Sequence, residues 1–206
     1  EVSFLYKVVG KGTRALSFMQ KGEEIEVLGP LGNRFDTGLI AGKGRSEALL
    51  VAGGHGAAPL YALAAELVKK RIPVKVFLGA GSASHLVCEE KFAQAGADVK
   101  ICTETGEKGY KGYVTALLDL YAKENSGDGR DRVIYACGPR PMLAGVSGIA
   151  SAYGITAQVS VDAYMACGIG ACLGCAIRTR DGYKLVCKDG PVFDHAEIDW
   201  EREIWT

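Results

Sequence analysis

The chain has 206 residues, and its 24 lysines and arginines balance its 24 aspartates and glutamates, so its formal net charge is zero. A neutral chain without a basic run is a poor candidate for binding nucleic acid or an anionic membrane surface. No apolar run approaches the length of about 18 residues that a membrane-spanning helix requires. With 48% hydrophobic residues, the composition allows a sizeable buried core.

Residues 1–42 contain short apolar runs that are interrupted by glycine, asparagine and proline. This pattern predicts β-strands, and we interpret the segment as part of a small barrel. Its first residues, EVSFLYKVV, indicate a strand rather than a signal peptide, and we expect that further sequence lies upstream.

Residues 43–161 alternate between apolar strand patterns and helix patterns. This alternation predicts a doubly wound α/β domain with five parallel strands, covered by helices on both faces. The predicted strands are 48–54, 74–81, 99–106, 132–139 and 156–161, and the predicted helices are 58–70, 84–96, 113–124 and 141–154.

Glycine-rich turns follow the first and second strands. In VAGGHGAAPLYAL, Gly53, Gly54 and Gly56 lie between a strand and a helix, an arrangement suited to binding phosphate, although a tight turn alone also requires glycine. After the second strand, Ser82 and Ser84 are positioned to bond a ribose or, by default, to cap the next helix. No acidic residue for a ribose hydroxyl ends that strand.

The fourth strand ends in the sequence CGPRPM. Ligands of open α/β sheets bind at the carboxyl ends of strands, and Gly138 and Pro139 would let a flat ring approach the backbone there. Cys137 either touches such a ring or is a small buried hydrophobic residue, and we favour burial. Cys88 and Cys102 are interpreted as structural.

Residues 162–206 lose the α/β pattern and contain four of the seven cysteines. Cys167, Cys172, Cys175 and Cys187 have the C-x4-C-x2-C…C spacing of a plant-type [2Fe–2S] site, and the glycines among them leave room for backbone N–H groups to face the sulfurs. Structural zinc is the alternative, although zinc sites more often show two C-x2-C pairs, and buried inert cysteines are a third. An odd cysteine count and this cluster favour a reducing compartment over a disulfide framework.

The last residues, DHAEIDWEREIW, are acidic and carry four large apolar side chains. They either pack on their own chain or form part of a surface for a protein partner. The four side chains are Ile198, Trp200, Ile204 and Trp205.

A β segment, a nucleotide-type α/β module and an iron–sulfur loop, in this order, resemble the ferredoxin–NADP reductase superfamily. GGHGAAPL and CGPRPM are similar to its nicotinamide loops. MACGIGACLGC, VCKDGPVF and FLYKVVGKGTRALS resemble the electron-transfer subunits of heteromeric (class 1B) dihydroorotate dehydrogenases. The family's Arg-x-x-Ser flavin motif is absent from this sequence. The resemblance implies an FAD-binding barrel, with flavin contacts at Leu5, Tyr6, Lys7, Gly12 and Thr13.

The resemblance further implies an NAD-linked electron relay in pyrimidine biosynthesis. NAD(H), FAD and the [2Fe–2S] cluster would carry the chemistry, so no catalytic side chain is predicted. The implied partner is the FMN-containing catalytic subunit, in a cytoplasmic heterotetramer. Two alternatives stay open: a reductase for a hydrogenase, ferredoxin or oxygenase, and a zinc-stapled nucleotide-binding module without redox activity.

Overall fold

The computed structural model describes residues 2–40 and 46–201. Its centre is a sheet of seven strands in the order β4-β3-β2-β1-β5-β6-β9, in which only β9 runs antiparallel to its neighbour. A separate hairpin is formed by β7 and β8. The strands are β1 (Ser46–Gly53), β2 (Val74–Ala80), β3 (Asp98–Thr103), β4 (Tyr110–Lys111), β5 (Asp131–Cys137), β6 (Thr156–Ser160), β7 (Ala176–Thr179), β8 (Gly182–Leu185) and β9 (Val192–Asp194).

Helices cover both faces of this sheet. Successive residues of β1 point to opposite faces, so Leu49 packs among the side chains of α4 and α5 and Leu50 among those of α2 and α3. Both leucines are fully buried, which explains why the strand sequence is apolar without alternation. The helices are α1 (Lys11–Phe18), α2 (Ala57–Lys69), α3 (Glu89–Gln94), α4 (Val114–Glu124) and α5 (Arg140–Tyr153).

The predicted α/β alternation is confirmed, with five parallel strands at the predicted places. The predicted helix 84–96 is wrong in its first half, where the chain forms a single 3-10 turn (Ala83–His85) before α3. Cys88 has a left-handed backbone with φ of 63°, and this conformation interrupts a right-handed helix. The strands β4 and β9 were not predicted, since they have only two and three residues.

The prediction of an all-β segment over residues 1–42 is wrong at α1, and the described residues 2–40 contain no strand. An extended chain becomes a strand only when another strand pairs with it, whereas α1 has a local start signal. The Thr13 hydroxyl accepts hydrogen bonds from the backbone N–H groups of Val9 (3.0 Å) and Gly10 (3.2 Å). Each residue of α1 is exposed or half-exposed, so this helix has little packing around it.

The C-terminal part of the chain returns to the central sheet. After the β7–β8 hairpin, β9 pairs with β6, so residues on both sides of the predicted boundary at 161 and 162 share one sheet. Ile198 is buried and Trp200 packs against the same core cluster, which confirms that this part of the tail packs on its own chain. Ile204 and Trp205 lie outside the described residues.

Within residues 2–40 and 46–201, no helix is both long enough and apolar enough to cross a membrane.

Candidate functional site

The four clustered cysteines lie on two neighbouring loops. Residues 165–175, called the cluster loop below, carry three of them, and Cys187 follows the β7–β8 hairpin. Cys175 and Cys187 are buried and Cys167 is half-buried, whereas Cys172 is exposed. A group held by all four sulfurs would therefore have one edge at the protein surface.

Backbone N–H groups point at three of the sulfurs. The N–H of Cys172 donates to Cys167 Sγ (3.4 Å), that of Gly174 to Cys172 Sγ (3.4 Å), and that of Cys187 to Cys175 Sγ (3.5 Å). Such donors stabilise thiolates, the form in which cysteine binds iron. The sequence interpretation placed open N–H groups in this loop, and the structure contains them.

Backbone donors, burial and neighbouring thiols shift the pKa values of two of these cysteines in opposite directions. Donation from the backbone N–H groups of Cys172 and Ile169, with the Cys172 thiol, lowers the pKa of Cys167 to about 6. The neighbouring Cys175 thiol, together with burial, raises the pKa of Cys187. Cys167 therefore interacts with Cys172, while Cys187 interacts with Cys175 and, more weakly, with Cys167.

Four cysteine thiolates are the ligand set of a plant-type [2Fe–2S] cluster. Among the described residues, no group of three or more His, Cys, Asp or Glu side chains is arranged to hold a metal ion, so the assignment rests on the chemistry of the donors. The donor set, four sulfurs with N–H support, fits the two-iron cluster.

Tight backbone bends shape the cluster loop. Gly168 and Gly170 have φ of 70° and 81°, values that glycine adopts without strain. Leu173 also has a positive φ, 58°, although its side chain is 63% exposed and gains little from packing. A leucine in this conformation is costly, so the loop is bent more sharply than its sequence favours.

The two predicted nicotinamide loops touch each other at the carboxyl edge of the sheet. A Cβ atom on Gly56 would lie 2.1 Å from the carbonyl oxygen of Cys137, so only glycine permits this contact. A Cβ atom on Gly53 would lie 2.9 Å from the Pro139 ring. Gly138 approaches equally closely, since its own Cβ would stand 3.1 Å from the Gly53 Cα. The structure thus brings the predicted residues of both loops together.

Gly54 differs from the glycines that pack between the loops. It has φ of 54°, and a Cβ atom there would meet nothing within 4 Å. It faces open space directly before the N-terminus of α2, where N–H groups and the helix dipole favour a phosphate. His55 beside it is exposed.

Cys137 is half-buried, and burial raises the pKa of its thiol to about 11. It stays protonated near neutral pH, so it is suited to contact a ring and not to act as a nucleophile. Cys102 is buried, as predicted, and Cys88 is half-buried at the start of α3.

The capping prediction for Ser82 is wrong. Its hydroxyl bonds the side chains of Ser84 (2.9 Å) and His85 (2.8 Å) and caps no helix. Glu107 was not predicted from the sequence, and its carboxylate accepts a hydrogen bond from the Ala83 N–H (3.0 Å). Glu107 lies in the loop after β3 and contacts the segment that follows β2, so the sequence around β2 does not predict this contact.

The predicted flavin residues lie in a solvent-exposed stretch of chain. Leu5 and Tyr6 are 43% and 39% exposed, and Lys7 follows them. Gly12 and Thr13 lie in α1 instead of a strand. Apolar side chains that stay this accessible are able to pack against a ring system, which fits FAD.

A parallel α/β sheet with touching glycine loops at its carboxyl edge, joined to four cysteines on two neighbouring loops, defines a nicotinamide-linked oxidoreductase module with an iron–sulfur domain. Two family models match accordingly. Residues 50–148 match the oxidoreductase NAD-binding domain, and residues 162–199 match the iron–sulfur cluster binding domain of dihydroorotate dehydrogenase B.

Known proteins narrow this class to one family. The chain is 36% identical to the "dihydroorotate dehydrogenase B (NAD(+)), electron transfer subunit" of Clostridium perfringens (strain 13 / Type A), over 97% of this chain and 76% of the relative. It is 41% identical to the subunit of the same name from Bacillus pumilus (strain SAFR-032), over 96% of this chain and 74% of the relative. The chain belongs to the family of dihydroorotate dehydrogenase B electron transfer subunits.

Solved structures agree with this assignment. A structure of NADH-dependent reduced ferredoxin–NADP oxidoreductase superposes with a TM-score of 0.78 and 30% identity, over 95% of this chain and 68% of that one. A flavohemoglobin from Malassezia yamatoensis with bound FAD and heme shares the fold, with a TM-score of 0.55 and 14% identity, over 76% of this chain and 42% of that one.

Proposed function

We propose that this chain passes electrons between NAD(H) and the FMN-containing catalytic subunit of a dihydroorotate dehydrogenase, in pyrimidine biosynthesis. FAD and a [2Fe–2S] cluster would link the two. In the biosynthetic direction, electrons from dihydroorotate would leave the partner, cross the cluster and FAD, and reduce NAD⁺. We also propose a cytoplasmic heterotetramer, in keeping with seven cysteines that are all free of disulfides.

One observation carries this proposal. Cys137, in the second nicotinamide loop, pairs in register with Ser160 at the end of the adjacent strand β6. Seven residues lead from Ser160 to Cys167, and seven residues span at most about 25 Å. The chain therefore passes from the nicotinamide edge of the sheet into the cluster loop within seven residues, which supports one relay that uses both sites.

On this proposal, the chain divides into three functional parts. Residues 1–42 belong to an FAD-binding β-barrel domain, residues 43–161 form a doubly wound NAD-binding domain, and residues 162–206 form the cluster domain. The exposed apolar side chains of the first part support a flavin there, and the family-model matches support the other two.

The nicotinamide part acts by binding and orientation. Gly54 leaves space for a phosphate in front of α2, whose N-terminal N–H groups bind it. Gly138 is half-buried and Pro139 is exposed at this edge of the sheet, and the nicotinamide ring would lie against them. The flavin, when bound, converts the two-electron chemistry of NAD(H) into single electrons.

The cluster part acts by ligation and by control of the electrostatics. Cys167, Cys172, Cys175 and Cys187 would hold the cluster. The N–H groups that point at the sulfurs stabilise negative charge and so influence the reduction potential. Because Cys172 is exposed, the cluster edge nearest to it is the proposed exit toward the partner subunit.

The experiment is to purify the complete protein with its catalytic subunit under anaerobic conditions and to measure dihydroorotate-dependent reduction of NAD⁺. The proposal predicts activity in the wild-type complex and its loss in Cys172→Ser, with the catalytic subunit still reducing an artificial dye. NAD⁺ reduction at the wild-type rate in Cys172→Ser would remove the cluster from the path. A complex with zinc and no iron would support the nucleotide-binding module without redox activity.

A further inference from the structure

The side chain of Asn33 binds a segment more than 150 residues further along the chain. Its Nδ2 donates to the carbonyl oxygens of Asp189 (3.0 Å) and Val192 (2.7 Å), while its Oδ1 accepts from the Val192 N–H (2.9 Å). Its backbone N–H donates to the carbonyl oxygen of Gly190 (2.5 Å). Asn33 thus uses both donors and the acceptor of its amide on residues 189–192.

Two glycines make this contact sterically possible. Gly32 has φ of 63°, and a Cβ atom there would lie 1.9 Å from the carbonyl oxygen of Gly190. A Cβ atom on Gly190 would in turn lie 2.4 Å from the Phe193 ring. The two backbones therefore meet without an intervening side chain, and the hydrogen bonds of Asn33 form across this close approach.

Residues 189–192 begin two positions after Cys187. The turn that carries Cys187 is closed by Asp189, whose carboxylate accepts from the Leu185 N–H (2.7 Å) and whose own N–H donates to the Leu185 carbonyl oxygen (2.7 Å). Val192 then begins β9 and is buried. Asn33 consequently binds the stretch of chain that connects Cys187 to the central sheet at β9.

The residues just before Asn33 contact the cluster loop, which carries the other three proposed ligands. The side chain of Leu31 lies 3.0 Å, and that of Leu28 3.4 Å, from the position of a Cβ atom on Gly168. Residues 28–33 therefore reach both loops that carry the proposed ligands, whereas the predicted flavin residues precede them in the same segment.

The residues after Asn33 are tied to the α/β sheet. The Asp36 N–H donates to Gln158 Oε1 (2.8 Å), and the Tyr135 hydroxyl donates to the Asp36 carbonyl oxygen (3.0 Å). Phe35 packs edge-on against the Tyr135 ring, with 5.6 Å between centroids. The segment is thus anchored to the sheet beyond Asn33 and to the cluster site at Asn33.

We propose that Asn33 is a positioning residue that holds the loop of Cys187 at a fixed place against the segment that carries the flavin. This inference rests on the proposed function. The hydrogen bonds of Asn33 described above reach residues 189–192 and no proposed flavin residue or cluster cysteine, so Asn33 acts through that segment. Because electron-transfer rates fall steeply with separation, a looser loop slows the passage of each single electron from the reduced flavin to the oxidised cluster. Hydride transfer from NADH to the flavin does not depend on the position of the Cys187 loop.

The test compares Asn33→Ala and Asn33→Asp in the complete, cofactor-loaded protein. Asn33→Asp keeps the size and the acceptor for Val192, but it places a carboxylate against the carbonyl oxygens of Asp189 and Val192. Asn125→Ala is the matched control, because within the described part of the chain the Asn125 side chain bonds only the local Tyr121 carbonyl oxygen. Iron content and the electron paramagnetic resonance spectrum of the reduced cluster are recorded for each variant.

The first readout is amide hydrogen exchange of residues 186–193, in cluster-loaded and in cluster-free protein. We expect exchange to rise by about tenfold in both Asn33 variants, as the loss of a hydrogen-bonded partner predicts, and to stay unchanged in Asn125→Ala. Unchanged exchange in both Asn33 variants would overturn the proposal. This readout does not depend on electron transfer, so it tests the contact even if the proposed function fails.

The second readout is rapid mixing with NADH, which separates flavin reduction from cluster reduction. We expect flavin reduction at the wild-type rate and cluster reduction slowed at least threefold, with iron content and spectrum unchanged. A wild-type rate of cluster reduction overturns the positioning role. Loss of the cluster from both Asn33 variants overturns it also, in favour of a purely structural role. If the wild-type cluster is not reduced at all, the proposed function fails instead.

Discussion

Gly54 provides the most specific test of where the nicotinamide dinucleotide binds. Gly54→Val adds a branched side chain in the open space before α2, and it does so at φ of 54°. A residue with a Cβ atom in this left-handed region costs about 1–2 kcal/mol, so some stability is lost as well. Gly54→Asn separates the two effects, because asparagine tolerates this conformation and still fills the same space.

The expected loss of affinity follows from the contact that is displaced. A hydrogen bond to a charged group contributes about 1.5–3 kcal/mol, so removing a phosphate from one N–H donor weakens binding about 10- to 150-fold. We expect this loss for NAD⁺ with both Gly54 variants, measured by calorimetric titration of the oxidised protein. Only Gly54→Val should also lower the free energy of unfolding.

The control is Gly148→Ala on the exposed side of α5, where a Cβ atom meets nothing within 4 Å. It should bind NAD⁺ normally and be more stable by about 0.5–1 kcal/mol. NAD⁺ affinity that stays unchanged in both Gly54 variants would refute the placement of the dinucleotide at this turn.

Three further outcomes are expected. Cys172→Ser should remove the visible absorption of the cluster while NAD⁺ affinity, measured by calorimetry, stays at the wild-type value. Burial lowers the pKa of His195, whose Nδ1 lies 2.9 Å from the Ser147 hydroxyl. The unfolded state therefore binds a proton at His195 more readily than the folded state, and thermal stability should fall as pH drops below about 6.5. His195→Gln should flatten this pH dependence. Tyr121→Phe removes a 2.5 Å hydrogen bond to the buried Glu47 carboxylate. The free energy of unfolding, measured in urea, should fall by about 1.5–3 kcal/mol. No change would show that this bond is dispensable.

The α/β part of the fold could be predicted from sequence because its signal is local. A parallel strand that is buried on both faces is apolar at every position, as in β1, and a glycine turn followed by a helix marks its carboxyl end. The cysteine spacing around Cys172 likewise indicates its chemistry without knowledge of the fold.

Residues 2–40 could not be predicted in the same way. Whether an extended apolar stretch forms a strand depends on a pairing partner, and no local pattern supplies it, whereas the cap provided by Thr13 favours a helix. The contact of Asn33 with Val192 spans 159 residues, and an asparagine after glycine indicates only a turn when it is considered by itself. The interruption at Cys88 was missed because a left-handed cysteine has no sequence signal.

The central claim is that Cys167, Cys172, Cys175 and Cys187 hold two irons through which electrons leave the chain. Its most direct test is the metal and acid-labile sulfide content of the complete protein, prepared without exposure to oxygen and without reconstitution. We expect about two irons and two sulfides per chain, with the absorption of an oxidised [2Fe–2S] cluster. Zinc bound at these cysteines in a colourless protein, or cysteines that bind no metal, would contradict the account.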